Sequence, residues 1–368
     1  MGRFSTIVLL LAACGDNGSP GVSVNPPGGV DTNQPAGPGT PTALYAPQVC
    51  GDLSWTTNAT NTALDVSVVP RSFGAQVLAV PLAGGTMTGY SLDKSMNMHT
   101  IDAQLSISDT FTAVSASEVD GHLTSTARDA SSIRVHLIAD DLSGAQEVAK
   151  LLPGNIANPA FQVSDGVNFV PVADGQGLRL ERFDGAWQAN TMRVATTDPA
   201  TGLAAAKMDY STIAAWSTKT SCYMMTLFTA APGPLATMPE ACTSPHLAVD
   251  GATQVGQLVF QSSDGIRILR TKHTSFDGVS QLIGRDGTAP RVLWDGQRFW
   301  ISYIDPRGDI VVGDLDGGDT GHFTSTAVFG PRPGASAYDL VMIDGQVWAV
   351  SFDATGYTAH RICLEPVN

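Results

Sequence analysis

A chain of 368 residues with only 15% charged side chains, 38 glycines and a net charge of -14 favours many short strands joined by tight turns over long helices. The charge excludes a nucleic-acid binder, because phosphate contacts need clustered Lys and Arg and the sequence holds no basic run. Its acidity suits a surface that meets cations or basic partners.

Met1-Gly2-Arg3 is a short cationic start, followed by an apolar run from Phe4 to Ala13. The run is too short to span a bilayer, which takes ~20 residues, but suits the core of a signal peptide. It ends in Leu11-Ala12-Ala13-Cys14 and resembles the lipobox of bacterial lipoproteins. That resemblance implies cleavage before Cys14 and diacylglycerol on its thiol, so residues 1–13 are expected to be a lipoprotein signal peptide. A plain signal peptide with a coincidental cysteine is the alternative. Residues 14–44 are rich in Gly, Pro, Asn and Ser. With almost nothing to bury, they are expected to form a disordered tether.

Residues 45–368 carry a repeat. Its clearest copy is Ala289 to Gly318, three apolar runs separated by Asp295-Gly296 and Asp305-Pro306-Arg307-Gly308. Asp-Gly or a substitute recurs at Asp120, Asp165, Asp209, Asp250, Asp295 and Asp344, at intervals of 45, 44, 41, 45 and 49 residues. A period of that size with several strands per unit predicts a propeller, and Asp-Gly between apolar runs predicts a type I′ hairpin. Each unit reads as strand A before the Asp-Gly, strand B after it, then strands C and D. A further unit before Asp120 has Ser72-Phe73-Gly74 in place of Asp-Gly. The last unit lacks a strand D, while a surplus strand falls near Gln48–Thr56. Surplus and deficit match if that strand closes the ring and leaves no open edge. The fold expected is therefore all-β, a propeller of seven four-stranded blades closed by an N-terminal strand. A pair of β-sandwiches or a β-helix is the alternative.

Four cysteines remain beside Cys14, an even number in a chain expected to leave the reducing cytosol. Cys222 begins strand C of the fourth unit and Cys242 ends its strand D, with Pro232-Gly233-Pro234 between them as the expected turn. Cys363 lies in the last strand C, and Cys50 in the closing strand. The pairs expected are Cys50–Cys363 and Cys222–Cys242. The series of proline, apolar strand, Asp-Gly and aromatic strand resembles the propeller repeats of bacterial envelope lipoproteins, over residues 64 to 363. That resemblance implies a fold but no defined activity.

No catalytic motif is present. The seven histidines show no metal-binding spacing, and neither a nucleophile elbow, a phosphate loop nor a dinucleotide fingerprint occurs. Ser351 to Gly356 and Ser263-Asp264-Gly265 come near the Asp-box of sialidase-like propellers but have the wrong spacing. Asp314, Asp316 and Asp319 superficially resemble a calcium loop, yet lack its closing Glu and coincide with an expected C–D turn. The Asn58-Ala59-Thr60 sequon carries little weight in a bacterial chain. His246 is expected to be structural, and Trp216, Trp294, Trp300 and Trp348 to pack between blades.

The candidates for function are Asp129, Asp174, Asp264, Asp305 and Asp353, which open the B–C loops of five units. They could form an acidic ring holding Ca2+, which prefers oxygen ligands, or simply shape turns. No other cofactor is expected. Binding is expected on the side of the B–C and D–A loops. The function expected is a lipid-anchored binding or scaffold module of the cell envelope. Its partner would be a protein or a surface polysaccharide, and its place the outer membrane or cell surface rather than the inner membrane. The alternative is an exported glycan-cleaving hydrolase or lyase.

Overall fold

A computed structural model describes residues 45–55, 63–81, 86–105, 110–119, 121–157, 162–164, 167–183, 187, 189–208, 211–228, 232–273, 275–316, 323–329, 337–353 and 356–366. Cys14, the tether, the sequon, Asp120, Asp165, Asp209 and Asp319 lie outside them. The described residues form seven antiparallel sheets and no helix.

The first strand, β1 (Tyr45–Trp55), belongs to the last blade. Blade 1 is β2 (Ala63–Arg71), β3 (Gly74–Pro81), β4 (Thr88–Asp93) and β5 (Met98–Gln104). Blade 2 is β6 (Ala113–Val119), β7 (His122–Arg128), β8 (Ile133–Ile138) and β9 (Ala145–Leu151). Blade 3 comprises β10 (Asn155–Ile156), β11 (Gln162–Ser164), β12 (Val167–Asp174), β13 (Gly177–Phe183) and β14 (Ala189–Thr196). Blade 4 holds β15 (Gly202–Lys207), β16 (Ser211–Ser217), β17 (Cys222–Phe228) and β18 (Pro232–Met238). Blade 5 holds β19 (Thr243–Asp250), β20 (Val255–Ser262), β21 (Gly265–Lys272) and β22 (Ser275–Arg285). Blade 6 holds β23 (Thr288–Trp294), β24 (Arg298–Ile304), β25 (Ile310–Asp316) and β26 (Thr324–Phe329). Blade 7 is β27 (Ala337–Ile343), β28 (Gln346–Asp353) and β29 (Gly356–Pro366), completed by β1 on its outer edge.

The burial pattern follows from stacking one blade on the next. A middle strand is covered on both faces, so it reads as a continuous apolar run; β16 is buried at all seven positions. An outer strand such as β18 alternates between exposed and half-buried residues. Seven apolar clusters fill the seven blade–blade gaps. One of them joins Tyr90 and Leu92 of blade 1 to Val350, Phe352 and Tyr357 of blade 7, so the ring is closed by packing as well as by strand exchange. The β1–β29 ladder runs from Tyr45 opposite Pro366 to Trp55 opposite Tyr357. The two disulfides expected from the repeat register form, with Cα separations of 5.9 Å for Cys50–Cys363 and 5.3 Å for Cys222–Cys242.

Several local expectations change. Pro232-Gly233-Pro234 is no turn but the start of β18, where Pro232 pairs with Leu227. An outer strand can lose amide donors on its solvent side, so proline is tolerated there. Cys242 therefore lies beyond β18, and Cys222 faces Met238 in the ladder. Blade 3 has its inner strand split, with β10 and β11 pairing separately along β12. Among the described residues, Asp344-Gly345 alone of these turns shows the paired positive φ of a type I′ turn, at 51° and 74°. At Asp295-Gly296 the glycine alone is positive, because the Asp295 carboxylate caps the turn by accepting the amides of Gln297 and Arg298. After Asp250 the turn runs four residues, with Gln254 in the left-handed region. Asp314 and Asp316 belong to β25 rather than to a turn, and Asp314 pairs with Arg298 at 2.9 Å.

Candidate functional site

The inner strands present an unpaired edge to the axis of the ring, and their amides need acceptors. This sequence supplies them from the preceding blade. Asp339 on β27 accepts the Val68 amide at 3.0 Å, and Asp65 on β2 accepts that of Val114 at 2.9 Å. Ser67 accepts the Ala116 amide at 2.9 Å, and Nδ1 of His246 on β19 accepts that of Val292 at 3.2 Å. Each acceptor is a polar residue flanked by apolar neighbours in an inner strand. His246 is structural, as its sequence context indicates.

Asp65 and Asp339 also face one guanidinium. Arg291 on β23 lies 4.0 Å from Asp65 and 3.8 Å from Asp339, and stacks over Tyr338 at 5.5 Å. Burial pushes both carboxyls above the usual range against the opposing pull of Arg291, with Asp339 reaching about 6. Burial, with Arg291 nearby, lowers His246 to about 3, so its ring is neutral and the proton sits on Nε2. Tyr338 donates to the carbonyl of Ala289 at 2.8 Å and sits 3.0 Å from the Ser302 hydroxyl. The cluster thus links blades 1, 5, 6 and 7 around the axis, and the aspartates spend their oxygens on backbone amides.

On one side of this cluster the channel widens into a cavity of about 580 Å3. Six inner strands wall it, and Asp339 and His246 are its polar members nearest the cluster. Its wall residues are the last few of each inner strand, such as Val69 on β2, Val249 on β19 and Met342 on β27. The cavity therefore lies toward the A–B turns, not toward the B–C and D–A loops where the concave surface was expected. β1 also begins on that side, with Tyr45 beside Pro366.

The B–C aspartates serve their own loops. Asp129 accepts the amides of Ser131 and Ser132, both at 2.6 Å, and hydrogen bonds from these two serines overcome partial burial to hold it well below the usual carboxylate range. Asp174 binds Arg179 and Arg193; despite some burial, these contacts and the Gln176 amide lower it to about 2. Asp264 is lowered chiefly by Arg267, which it meets at 2.8 Å. Asp305 is lowered, against some burial, by the amides of Asp309 and Arg307 and by the Arg307 side chain. Asp353 ends β28, and its side chain lies outside the described residues. Among the described residues no three His, Cys, Asp or Glu side chains come together as a metal could require. Trp216 stacks on Tyr223 with ring centroids 5.6 Å apart. Trp300 donates to Asp295 at 2.6 Å and Trp348 is buried, while Trp294 packs on Phe299 and also lines the cavity.

Asp65, Arg291 and Asp339 were not singled out from the sequence. The signal was present in the single charge within Leu-Asp-Val-Ser-Val-Val, Pro-Arg-Val-Leu-Trp and Tyr-Asp-Leu-Val-Met. Charges in strands buried on both sides need partners, but nothing in one sequence shows that three blades bring these charges together.

No protein-family model matches the chain, and no curated protein is similar to it in sequence. Solved structures share its architecture. Hydrazine synthase of Kuenenia stuttgartiensis superposes with a TM-score of 0.60 at 11% identity, over 83% of this chain and 97% of that one. The Dos1 propeller gives 0.53 at 10% identity, over 86% and 95%. At that distance the likeness is one of fold, and this chain is a seven-bladed β-propeller whose ring its own N-terminal strand completes.

Proposed function

We propose that the protein is a binding or scaffold module held outside the cytoplasm by lipid on Cys14, with a protein or surface polysaccharide of the cell envelope as its partner. The observation that carries this reading is the Cys50–Cys363 bond. It fastens the ring across its seam and suits an oxidising compartment, in agreement with the Leu-Ala-Ala-Cys sequence at residues 11–14. The described B–C loops add support, because their carboxylates are already committed to amides and arginines. Loops ordered in that way suit recognition, which gains from contacts set before binding. Glycan cleavage would need a placed, accessible carboxylate pair, whereas Asp65 and Asp339 are buried and hold backbone amides.

The test has two parts. Radiolabelled palmitate should enter the wild-type chain and sediment with membranes, and Cys14→Ser should lose both label and sedimentation. Photo-crosslinkers on exposed B–C loop positions such as Ser131 should then capture one discrete envelope component. A Cys14→Ser chain that still sediments with label would overturn the anchor. Crosslinking that yields no reproducible species would overturn the binding role.

A further inference from the structure

The central cavity has the size of a small-molecule pocket, and its lining limits what chemistry would fit it. About 580 Å3 lies within the span of small-molecule pockets, roughly 300–1,000 Å3. The lining residues are chiefly aliphatic: Ala248, Leu293, Trp294 and Met342 are partly exposed, while Val69, Leu247 and Val249 lie behind them in the blade–blade clusters. The cavity is preformed, because each wall residue belongs to a strand held by its own ladder and by the neighbouring blade.

The buried charge of the wall, on Asp339, is matched, whereas Glu118 and Lys207 are exposed. Glu118 meets Arg71 at 3.5 Å, and Asp339 has Arg291 at 3.8 Å and accepts two amides. His246 is neutral, with Nδ1 occupied by the Val292 amide. Lys207 is exposed, and Asp250 and Asp295 directly follow the wall residues Val249 and Trp294. An ionic guest would gain no buried counter-charge here and would lose its hydration, a cost of several kcal/mol. An apolar guest would lose only unfavourable contact with water.

We propose that this cavity binds a neutral, largely apolar small molecule, entering from the side of the A–B turns. The large hydrophobic side chains exposed elsewhere are scattered singly, namely Tyr45, Phe73, Leu152, Leu235 and Val279 on separate blades or connections. The site does not depend on the envelope partner proposed above.

The test uses the mature chain with Cys14→Ser and the neutral dye N-phenyl-1-naphthylamine, whose fluorescence rises on leaving water. Wild type should take up one dye per chain in a saturable manner. Dodecanol should displace it at concentrations at least 10-fold below those needed for dodecanoate or dodecyltrimethylammonium. Met342→Arg, which places a charge in the wall, should weaken dye binding at least 10-fold while thermal unfolding stays cooperative. Ala248→Phe, which fills the space instead, should do the same. Absence of saturable uptake, better displacement by either ion, or unchanged binding in folded wall variants would overturn the proposal. Should neither variant fold, the order of displacement in wild type decides alone. The loop crosslinking described above is unaffected by any of these results, so the two readings can fail separately.

Discussion

Replacing Arg291 by Met removes one guanidinium from between two buried carboxylates while keeping most of the side-chain volume. In the native ring Asp339 titrates near 6, against about 3.9 in an unfolded chain. The sign follows from proton binding. Between about pH 4 and pH 6 the native state holds more protons than the unfolded state, so Asp339 makes stability fall as pH rises through that window. A displacement of roughly 2 units corresponds to about 3 kcal/mol, absent below pH 4 and complete above pH 6. Arg291 limits this loss, because it opposes the upward push on both Asp339 and Asp65. Without it, both carboxyls move higher and the loss deepens. At pH 8 the variant should be destabilised by about 3–5 kcal/mol, the usual cost of stranding a buried charge. At pH 4, where Asp339 is protonated, it should lie within about 1 kcal/mol of wild type. Urea unfolding followed by tryptophan fluorescence at both pH values measures the difference. Equal destabilisation at the two pH values would show that Arg291 acts by packing on Tyr338 and not by charge, and the reasoning would be wrong. The double variant Arg291→Met with Asp339→Asn should recover part of the pH 8 loss.

The remaining predictions concern the frame. The Cys50–Cys363 bond closes a separation of 313 residues and Cys222–Cys242 one of 20. Chain entropy then gives about 5–6 and about 3 kcal/mol, so Cys50→Ser/Cys363→Ser should lower the urea midpoint more than Cys222→Ser/Cys242→Ser; the reverse order would count against entropic control. Gly265→Ala should be severely destabilising. Its φ is 133°, and an added Cβ would stand 2.1 Å from the Gly284 carbonyl oxygen. A loss under about 1 kcal/mol would mean that the β20–β21 turn relaxes. Asp295→Ala removes acceptors for two turn amides and for the Trp300 indole, and should cost about 2–3 kcal/mol in the same assay. Equal stability would show that the turn is held by Gly296 alone.

The architecture was legible because it rests on local chemistry repeated many times. Turn residues at a fixed spacing mark each hairpin, and a strand missing at one end with a surplus at the other marks the closure. The same register placed both disulfides, though it misplaced Pro232 and with it the end of β18. Turn preferences say where a chain can bend, not whether an edge strand tolerates proline. The B–C aspartates were visible as a series, yet one sequence cannot distinguish a carboxylate that meets a ligand from one that caps its own loop. The structure gives Asp129, Asp174, Asp264 and Asp305 partners within a few residues or elsewhere in the same blade.

The central channel is another matter. Asp65, His246, Arg291 and Asp339 lie in four different repeats; His246 and Arg291 share a repeat position, four residues before Asp250 and Asp295, but no spacing along the chain shows that the four side chains meet. They meet because the inner strands of all blades converge on one axis, where unpaired amides demand acceptors and an enclosed charge demands its opposite. The sequence alone determined the strand period, the hairpins between inner strands and their neighbours, and ring closure, each set by contacts between near neighbours or by the count of strands. Closing the ring decided what lies at its centre, on which side of the ring the cavity lies, and, among the described residues, which partners meet the charges buried there.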